Sequence, residues 1–537
     1  MKTLFLHGDV YTPSGPAQAF CVENGRFTRV GTDQAVLSLR EEGDEVIDLS
    51  GRFVSPGFND SHMHLLGFGS SLLSAQLSSA TGSLSALLSA VRDFACSHPP
   101  RPGQWLRGRG WNQDYFADVS RMPTRFDLDA VSTSFPIALS RACGHVWCVN
   151  SLALRLSGIT SDTPDPPGGA IGRDGGVPNG LLFDNAIDLA QRRIPAPTES
   201  DIQDMLIQAQ AACHAYGLTS VQTDDYCVFP GLPPQAVDRA YLSLEKAGLL
   251  TLRVREQANF TTLPALRAFV EEEMPSLPET GRFVIGPLKL LGDGSLGGRT
   301  AHLSRPYADD PATSGFSLFT PDEMNALVSY AHAHGMQIAV HAIGDRCLDR
   351  VLDALSAAQA AHPRPDARHG IVHCQITRPD QLRRIADMGL VVYAQPIFLD
   401  YDNHIVLSRV GETLASSSYS WRTLSSLGVP VSGGSDCPVE PPDVMRGIQC
   451  AVTRASLDGA GPYLPGEAFT PEEALDLFTS GSAYMSFEEG EKGKIFPGML
   501  ADFTVLSQSP LAVHPADIHS IQVLETWVGG QNVYRRD

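Results

Sequence analysis

Between two strand-rich ends, the chain repeats one pattern about eight times: a short apolar, β-branched run followed by a longer stretch of helical period. The runs are Phe53–Asn59, Ser220–Asp224, Leu252–Glu256, Pro287–Leu291, Gln337–His341, Gly370–Cys374, Val391–Gln395 and Pro430–Gly434. Helical patterns between them include Pro234–Ala247, Pro321–His334, Arg346–Ala361 and Pro379–Met388. Thr320-Pro321-Asp322-Glu323 and Thr377-Arg378-Pro379-Asp380 supply helix-start signals. Alternation repeated this often is what a closed parallel barrel requires. An open doubly wound sheet would also fit the alternation, but no GxGxxG follows the first run. The expected fold is α/β, a (β/α)₈ TIM barrel.

The ends have a different texture. Leu4-Phe5-Leu6, Ala19-Phe20-Cys21-Val22, Phe27-Thr28-Arg29-Val30 and Glu45-Val46-Ile47-Asp48 are short strands broken by Gly, Asn and Pro, and Asp502–Leu506 and Val523–Tyr534 resemble them. They predict one small β-sandwich domain made from both termini, residues 1–54 and 488–537, around a barrel spanning 55–487. An interval at about 65–198 does not fit the repeat. It is expected as an insertion after barrel strand 1, on the face where barrel enzymes place their active sites. Trp105, Trp111 and Trp147, three of the five tryptophans, fall inside it. A lid or substrate pocket and a plain structural lobe both remain open for this interval.

Composition narrows the partners. A formal charge of −20 over 537 residues repels nucleic acid and anionic membranes. Ten scattered cysteines without a CxxC pair read as reduced thiols in a cytosolic protein. His7, Gly8 and Asp9 interrupt the first apolar patch before a signal-peptide core could form. No stretch approaches the ~18 apolar residues of a membrane helix. The expectation is a cytoplasmic enzyme with a small-molecule substrate; whether it forms a homo-oligomer stays open.

The chemistry concentrates at the ends of the runs. In Pro56-Gly57-Phe58-Asn59-Asp60-Ser61-His62-Met63-His64, two histidines at i and i+2 of an extended chain point to one side and can converge on a metal. Lys289 lies inside the apolar run Gly286–Leu291, where it must be paired, neutral or chemically altered. His341 ends Gln337–Val340, His373 ends Gly370–Val372, and Asp436 closes Val431–Ser435. Singly, each could be a hydrogen-bonded core or cap residue. Jointly, they place ligand-type side chains at the ends of strands one, four, five, six and eight.

With these motifs the sequence resembles the amidohydrolase superfamily, in particular its third amidohydrolase family. The resemblance runs nearly full length. It takes in Pro56–His64, Leu288–Ala301, His341–Asp345, Arg368–Gln375, Gly434–Val439, Gly493–Gly498 and Ala501–Phe503, with Trp105–Trp111, Gly144-His145 and Asn150-Ser151 in the insertion. It implies one or two divalent ions, zinc being favoured. His62 and His64 would hold the first with Asp436 beside it, and His341 and His373 the second. Lys289, carboxylated by CO₂, would bridge them as a carbamate. The chain departs from the family at Val372 and Cys143, where members commonly carry acidic residues. The first departure is expected to touch the surroundings of the metal ligands, and the second the substrate pocket.

A bound metal lowers the pKa of its water from ~15.7 to roughly 7. The expected reaction is attack of that metal-bound hydroxide on the carbonyl of a non-peptide C–N bond in an amide, an N-substituted formamide or a cyclic amide. Asp436 would take the proton and return it to the leaving amine. His145, Trp111 and Arg299 are candidate substrate contacts. Rival readings are a deaminase, an esterase, lactonase or phosphotriesterase on the same metals, and a non-catalytic binding or regulatory protein on this scaffold. Asp345 after His341, where a deaminase carries a nearby Glu, disfavours the first; retention of every ligand position disfavours the last.

Overall fold

The computed structural model describes residues 2–143 and 145–537. The chain forms two compact units: Met1–Gly67 with Ala209–Asp537, and Phe68–Gln208.

The first unit contains eight strands joined only by parallel ladders, in sequential order. They are β1 (Phe58–Met63), β2 (Leu218–Thr223), β3 (Arg253–Asn259), β4 (Phe283–Leu291), β5 (Ile338–Ala342), β6 (Gly370–His373), β7 (Val391–Ala394) and β8 (Val431–Gly433). The two outer strands approach each other and bring the ring close to closure. The Ser432 hydroxyl donates to Ser61 Oγ at 2.9 Å, and the Asp436 N–H donates to the His62 carbonyl at 2.8 Å. Most strand residues are buried, as expected of a parallel sheet covered on both faces. Among the covering helices, Pro321–Ala333 starts in a reciprocal cap. Thr320 accepts from the Glu323 N–H while the Glu323 carboxylate accepts from the Thr320 N–H. The TIM-barrel architecture expected from the alternation is therefore present.

One strand boundary differs from the sequence reading. The run Phe53–Asn59 is not a single barrel strand. Phe53–Pro56 pairs antiparallel with Phe503–Leu506 and parallel with Asp9–Val10, and β1 begins only at Phe58. The chain changes sheets at Gly57, where a Cβ would lie 2.3 Å from Thr219 Oγ1, so only glycine fits. Consequently β1 extends through His62 to Met63, rather than ending ahead of the histidines.

Two further sheets in this unit use both termini. One runs in the order Arg26–Gly31, Ala19–Glu23, Thr3–Leu6, Glu45–Asp48; the other runs Asp9–Val10, Phe53–Pro56, Phe503–Leu506, Val523–Val528, Gln531–Arg535. Their inner faces share an apolar cluster containing Phe5, Phe20, Phe27, Phe503 and Trp527. Phe5 stacks on Phe20 at 4.7 Å and Phe503 on Trp527 at 5.5 Å, which defines a small sandwich core.

The second unit has its own six-stranded sheet, in the order Gly169–Asp174, Val177–Asp184, Val146–Val149, Ile137–Arg141, Leu106–Trp111, Ala75–Gln76. Two apolar clusters line it. One includes Trp111, Leu87, Val91, Leu139 and Cys148, and the other includes Trp105, Ala138, Leu154 and Leu182 with Trp147 packed against it. No helix among the described residues is long and apolar enough to cross a membrane.

Candidate metal centre

The C-terminal ends of the barrel strands bring four imidazoles into a row. Ring centroids lie 5.4 Å apart for His64 and His62, 5.7 Å for His62 and His373, and 4.4 Å for His373 and His341. Asp436, just beyond β8, faces this row. Its Oδ1 is 3.4 Å from His62 Nε2 and 3.2 Å from His64 Nε2. Side-chain donor atoms of His62, His373 and Asp436 lie within 4.8 Å of one another.

The remaining ring nitrogens fix the tautomers. His62 Nδ1 is 2.7 Å from Gln257 Oε1, and the Gln257 Nε2 group donates to the Ser61 carbonyl at 3.0 Å. That donation turns the amide oxygen toward the imidazole, so His62 carries its hydrogen on Nδ1. His64 Nδ1 is 2.7 Å from the Asp224 carbonyl oxygen, which can only accept. His373 Nδ1 is 2.7 Å from Gln395 Oε1, whose amide donates to the Tyr393 carbonyl. All three rings are thereby Nδ1–H donors with a free lone pair on Nε2. This is how metal-binding histidines are usually oriented by their outer partners. His341 is turned the other way. Its Nε2 donates to the Gly294 carbonyl at 3.1 Å and lies 3.2 Å from Asp293 Oδ1, which leaves Nδ1 as its donor atom.

This donor set fits a divalent cation. Asp436 Oδ1 is buried, and no N–H or O–H group is aligned to donate to it. Two imidazole lone pairs face that oxygen across little more than 3 Å, which repels unless a positive charge lies between them. Without a metal, a proton supplies it. Burial disfavours a charged His64, but contact with Asp436 outweighs burial and raises the imidazole well above its ordinary value. Burial would likewise raise the Asp436 carboxyl, yet His64, His62 and His373 together hold it below the carboxylate range. His62 is pushed down by burial and then by Lys289, and His373 by burial and then by His341, so both are neutral donors. Neutral imidazoles and a carboxylate are the protonation states that a metal requires.

Lys289, on β4, is 1 % exposed, and its Nζ lies 3.7 Å from Asp224 Oδ2. Asp224 is fully buried at the end of β2; Oδ2 also accepts from Asn259 Nδ2 at 3.0 Å, while Oδ1 has no hydrogen-bond partner. The sequence reading identified the run that ends at Asp224 but not the aspartate. Its position matched that of the other ligand-type residues, and that was the signal available. Gln257, Gln395 and Asp60 were also missed. Asp60 accepts from the Ser435 N–H and hydroxyl and from the His62 N–H, and so ties β1 to the segment that carries Asp436.

Trp111, His145 and Arg299 were the expected substrate contacts. Trp111 is fully buried in the second unit, its indole N–H donating to the Leu139 carbonyl at 2.9 Å. Packing accounts for this residue, and it presents no surface to a ligand. His145 is exposed, with Nδ1 3.1 Å from Asp184 Oδ1; Gly144 before it lies outside the described residues. Arg299, in the loop after β4, pairs with Asp309. The departure at Val372 acquires a physical explanation. Val372, in register with His341 on β5, packs among Ala339, Val391, Tyr393 and Met485. Valine there fills an apolar layer on the strand face that carries His341. Cys143 is exposed.

A near-closed parallel barrel with histidines and an aspartate converging at its strand ends defines the class of metal-dependent hydrolases built on this fold. The model of the amidohydrolase family matches residues 45–534. A putative amidohydrolase of Bacillus subtilis, YtcJ, is 35% identical over all of both chains. N-substituted formamide deformylase of Arthrobacter pascens is 28% identical, over 97% of this chain and 95% of that one. The crystal structure of an uncharacterized metal-dependent hydrolase from Pyrococcus furiosus superposes with a TM-score of 0.79 at 32% identity, covering 95% of this chain and all of the other. The chain belongs to the amidohydrolase family.

Proposed function

We propose that this amidohydrolase cleaves a carbon–nitrogen bond other than a peptide bond, in an amide, an N-substituted formamide or a cyclic amide. One observation carries the reading: three imidazoles locked as Nδ1–H tautomers present Nε2 lone pairs around a buried, undonated carboxylate oxygen. The name of the formamide deformylase relative favours a formamide or related amide as substrate class. His62, His64, His373 and Asp436 would hold one divalent ion, zinc suiting this nitrogen-rich set best. His341 through Nδ1, and Lys289 as a carbamate, would complete a second position. Bound there, the metal supplies Lewis acidity and an activated water.

The chain's own groups do the rest. Gln257, Gln395 and the Asp224 carbonyl keep the rings in the required tautomer. Asp436 would accept a proton and return it to the leaving nitrogen, a role that typically contributes about 10²–10⁴-fold to rate. Arg299 and His145 are retained as candidate substrate contacts. The test is a panel of N-substituted formamides, acyl amides, cyclic amides, amidines and esters with metal-loaded protein. Turnover of an amide class, abolished by a chelator and restored by Zn²⁺, is expected. Turnover restricted to esters, or unaffected by chelation, would overturn the reading.

A further inference from the structure

The imidazole of His373 is presented from an unusual piece of backbone. β6 ends in a three-residue turn in which the Cys374 N–H donates to the Val372 carbonyl at 3.0 Å, with His373 at φ 73° in the centre and Cys374 at φ 50°. Neither residue is glycine, and this left-handed region is sparsely populated by L residues. A turn of this kind with positive φ at its central residue is rare and strained. It persists only where its surroundings over-determine it.

The surroundings are a short segment before the helix Trp421–Ser426. The Trp421 indole N–H donates to the His373 carbonyl at 3.0 Å, and the Tyr419 N–H donates to the Gln375 carbonyl at 2.6 Å. The strand end is thus gripped on both sides of Cys374. Trp421 is itself immobilised. It is 1 % exposed, meets the Tyr419 ring edge-on at 5.5 Å, and has the buried Arg454 guanidinium 5.8 Å from its ring. The Tyr419 hydroxyl is anchored to Asp402 at 2.8 Å. Phe398 stacks on the His373 ring at 5.9 Å.

We propose that Trp421 is a positioning residue for the metal centre, its indole N–H holding the His373 carbonyl in the turn that aims the imidazole at the metal. The proposal rests on the metal-centre reading above. Removing such an outer partner typically weakens metal affinity by roughly 10–100-fold.

The experiment is Zn²⁺ titration of the full chain against a chelator, together with the rise in thermal midpoint on adding Zn²⁺. It compares wild type, His373→Ala and Trp421→Phe, which keeps a buried aromatic ring but removes the donor. For Trp421→Phe we expect roughly 10–100-fold weaker affinity and a smaller metal-induced rise in midpoint. A purely structural role would instead lower the midpoints of metal-free and metal-loaded protein equally. If the Phe variant does not fold, Trp421→3-benzothienylalanine takes its place. It replaces the N–H by sulfur with little change of shape, and the same loss of affinity is expected. Wild-type affinity in the folded variant, while His373→Ala loses metal, would overturn the proposal and leave the metal centre standing. Metal binding by His373→Ala equal to wild type would instead sink the underlying reading.

Discussion

Lys289 Nζ lies 3.7 Å from Asp224 Oδ2 with both side chains sealed from solvent, so the lysine of the barrel already has an anionic partner before any metal or CO₂ arrives. A carbamate on Lys289 would set two anions side by side. At about 4 Å and an effective dielectric near 20 their repulsion is about 4 kcal/mol. Charge balance therefore couples the two events. One dication beside the ammonium form, or two dications beside the carbamate form, leaves the same net charge on the buried set, and mixed states do not. The second metal equivalent should accordingly appear only together with a CO₂ adduct. Native mass spectrometry and elemental analysis across a range of dissolved CO₂ check this. Lys289→Ala should hold at most one ion, and added short carboxylates should partly restore the second. Lys289→Arg should not substitute, because guanidinium cannot form the carbamate. Two ions bound to a chain whose Lys289 carries no adduct would refute the coupling.

The ligands should also separate by variant. His62, His373 and Asp436 converge within 4.8 Å, whereas His341 uses its other nitrogen and lies at the end of the row. His62→Ala should leave the protein essentially metal-free and inactive. His341→Ala should retain one ion and lose the second. Metal counts after gel filtration decide it, and equal losses in the two variants would contradict the arrangement.

The barrel and most of the candidate ligands were legible because buried parallel strands are short and apolar, so that His341, His373 or Asp436 at a strand end stands out. Asp224 ended a recognised run yet lay within Thr223-Asp224-Asp225, where an acidic pair reads as ordinary loop. Gln257 and Gln395 are neutral amides whose role exists only through the tautomer they impose at a distance in sequence. The first strand was misjudged because Phe53–Asn59 serves two sheets, and the Pro56-Gly57 break inside it was read through as strand. The sheet of the second unit was hidden for another reason. Leu106-Arg107-Gly108-Arg109-Gly110-Trp111 carries arginines and glycines and has no clean alternation.

Trp111 gives a test of the second unit. A fully buried tryptophan whose N–H is used internally should behave as a core residue, and Trp→Ala in a core typically costs about 3–5 kcal/mol. Trp111→Ala should therefore lower the denaturant midpoint of the second unit, with metal content unchanged. His145→Ala, at an exposed site, should leave stability within about 0.5 kcal/mol of wild type. An altered KM in Trp111→Ala without any loss of stability would restore a substrate role for the tryptophan.

A pair of histidines at the opposite end of the strands makes folding pH-dependent. His369 Nδ1 accepts from the Ile338 N–H at 3.1 Å, and His369 Nε2 lies 2.7 Å from His332 Nδ1. His332 Nε2 bonds to the His362 carbonyl, which can only accept, so His332 Nδ1 must be an acceptor and His369 Nε2 the donor. Every proton in this chain is assigned and both rings are neutral. A proton added to His369 would set Nδ1–H against the Ile338 N–H. Burial first, then His332 and Arg364, pushes His369 down to about 3 from an ordinary 6.5. Because the folded value is the lower one, the unfolded chain binds more protons between those limits, and stability rises with pH through that window. It is complete above about 6.5 and is lost progressively as pH falls toward 3, by an amount on the order of 4 kcal/mol. Urea unfolding from pH 7 to pH 4 should give a steep decline for wild type and a shallower one for His369→Gln, which keeps a donor and an acceptor but cannot protonate. Other buried histidines titrate in both proteins, so the difference between the two curves is the quantity to read. Parallel curves would mean that His369 is protonated in the folded protein and that the assigned chain is wrong.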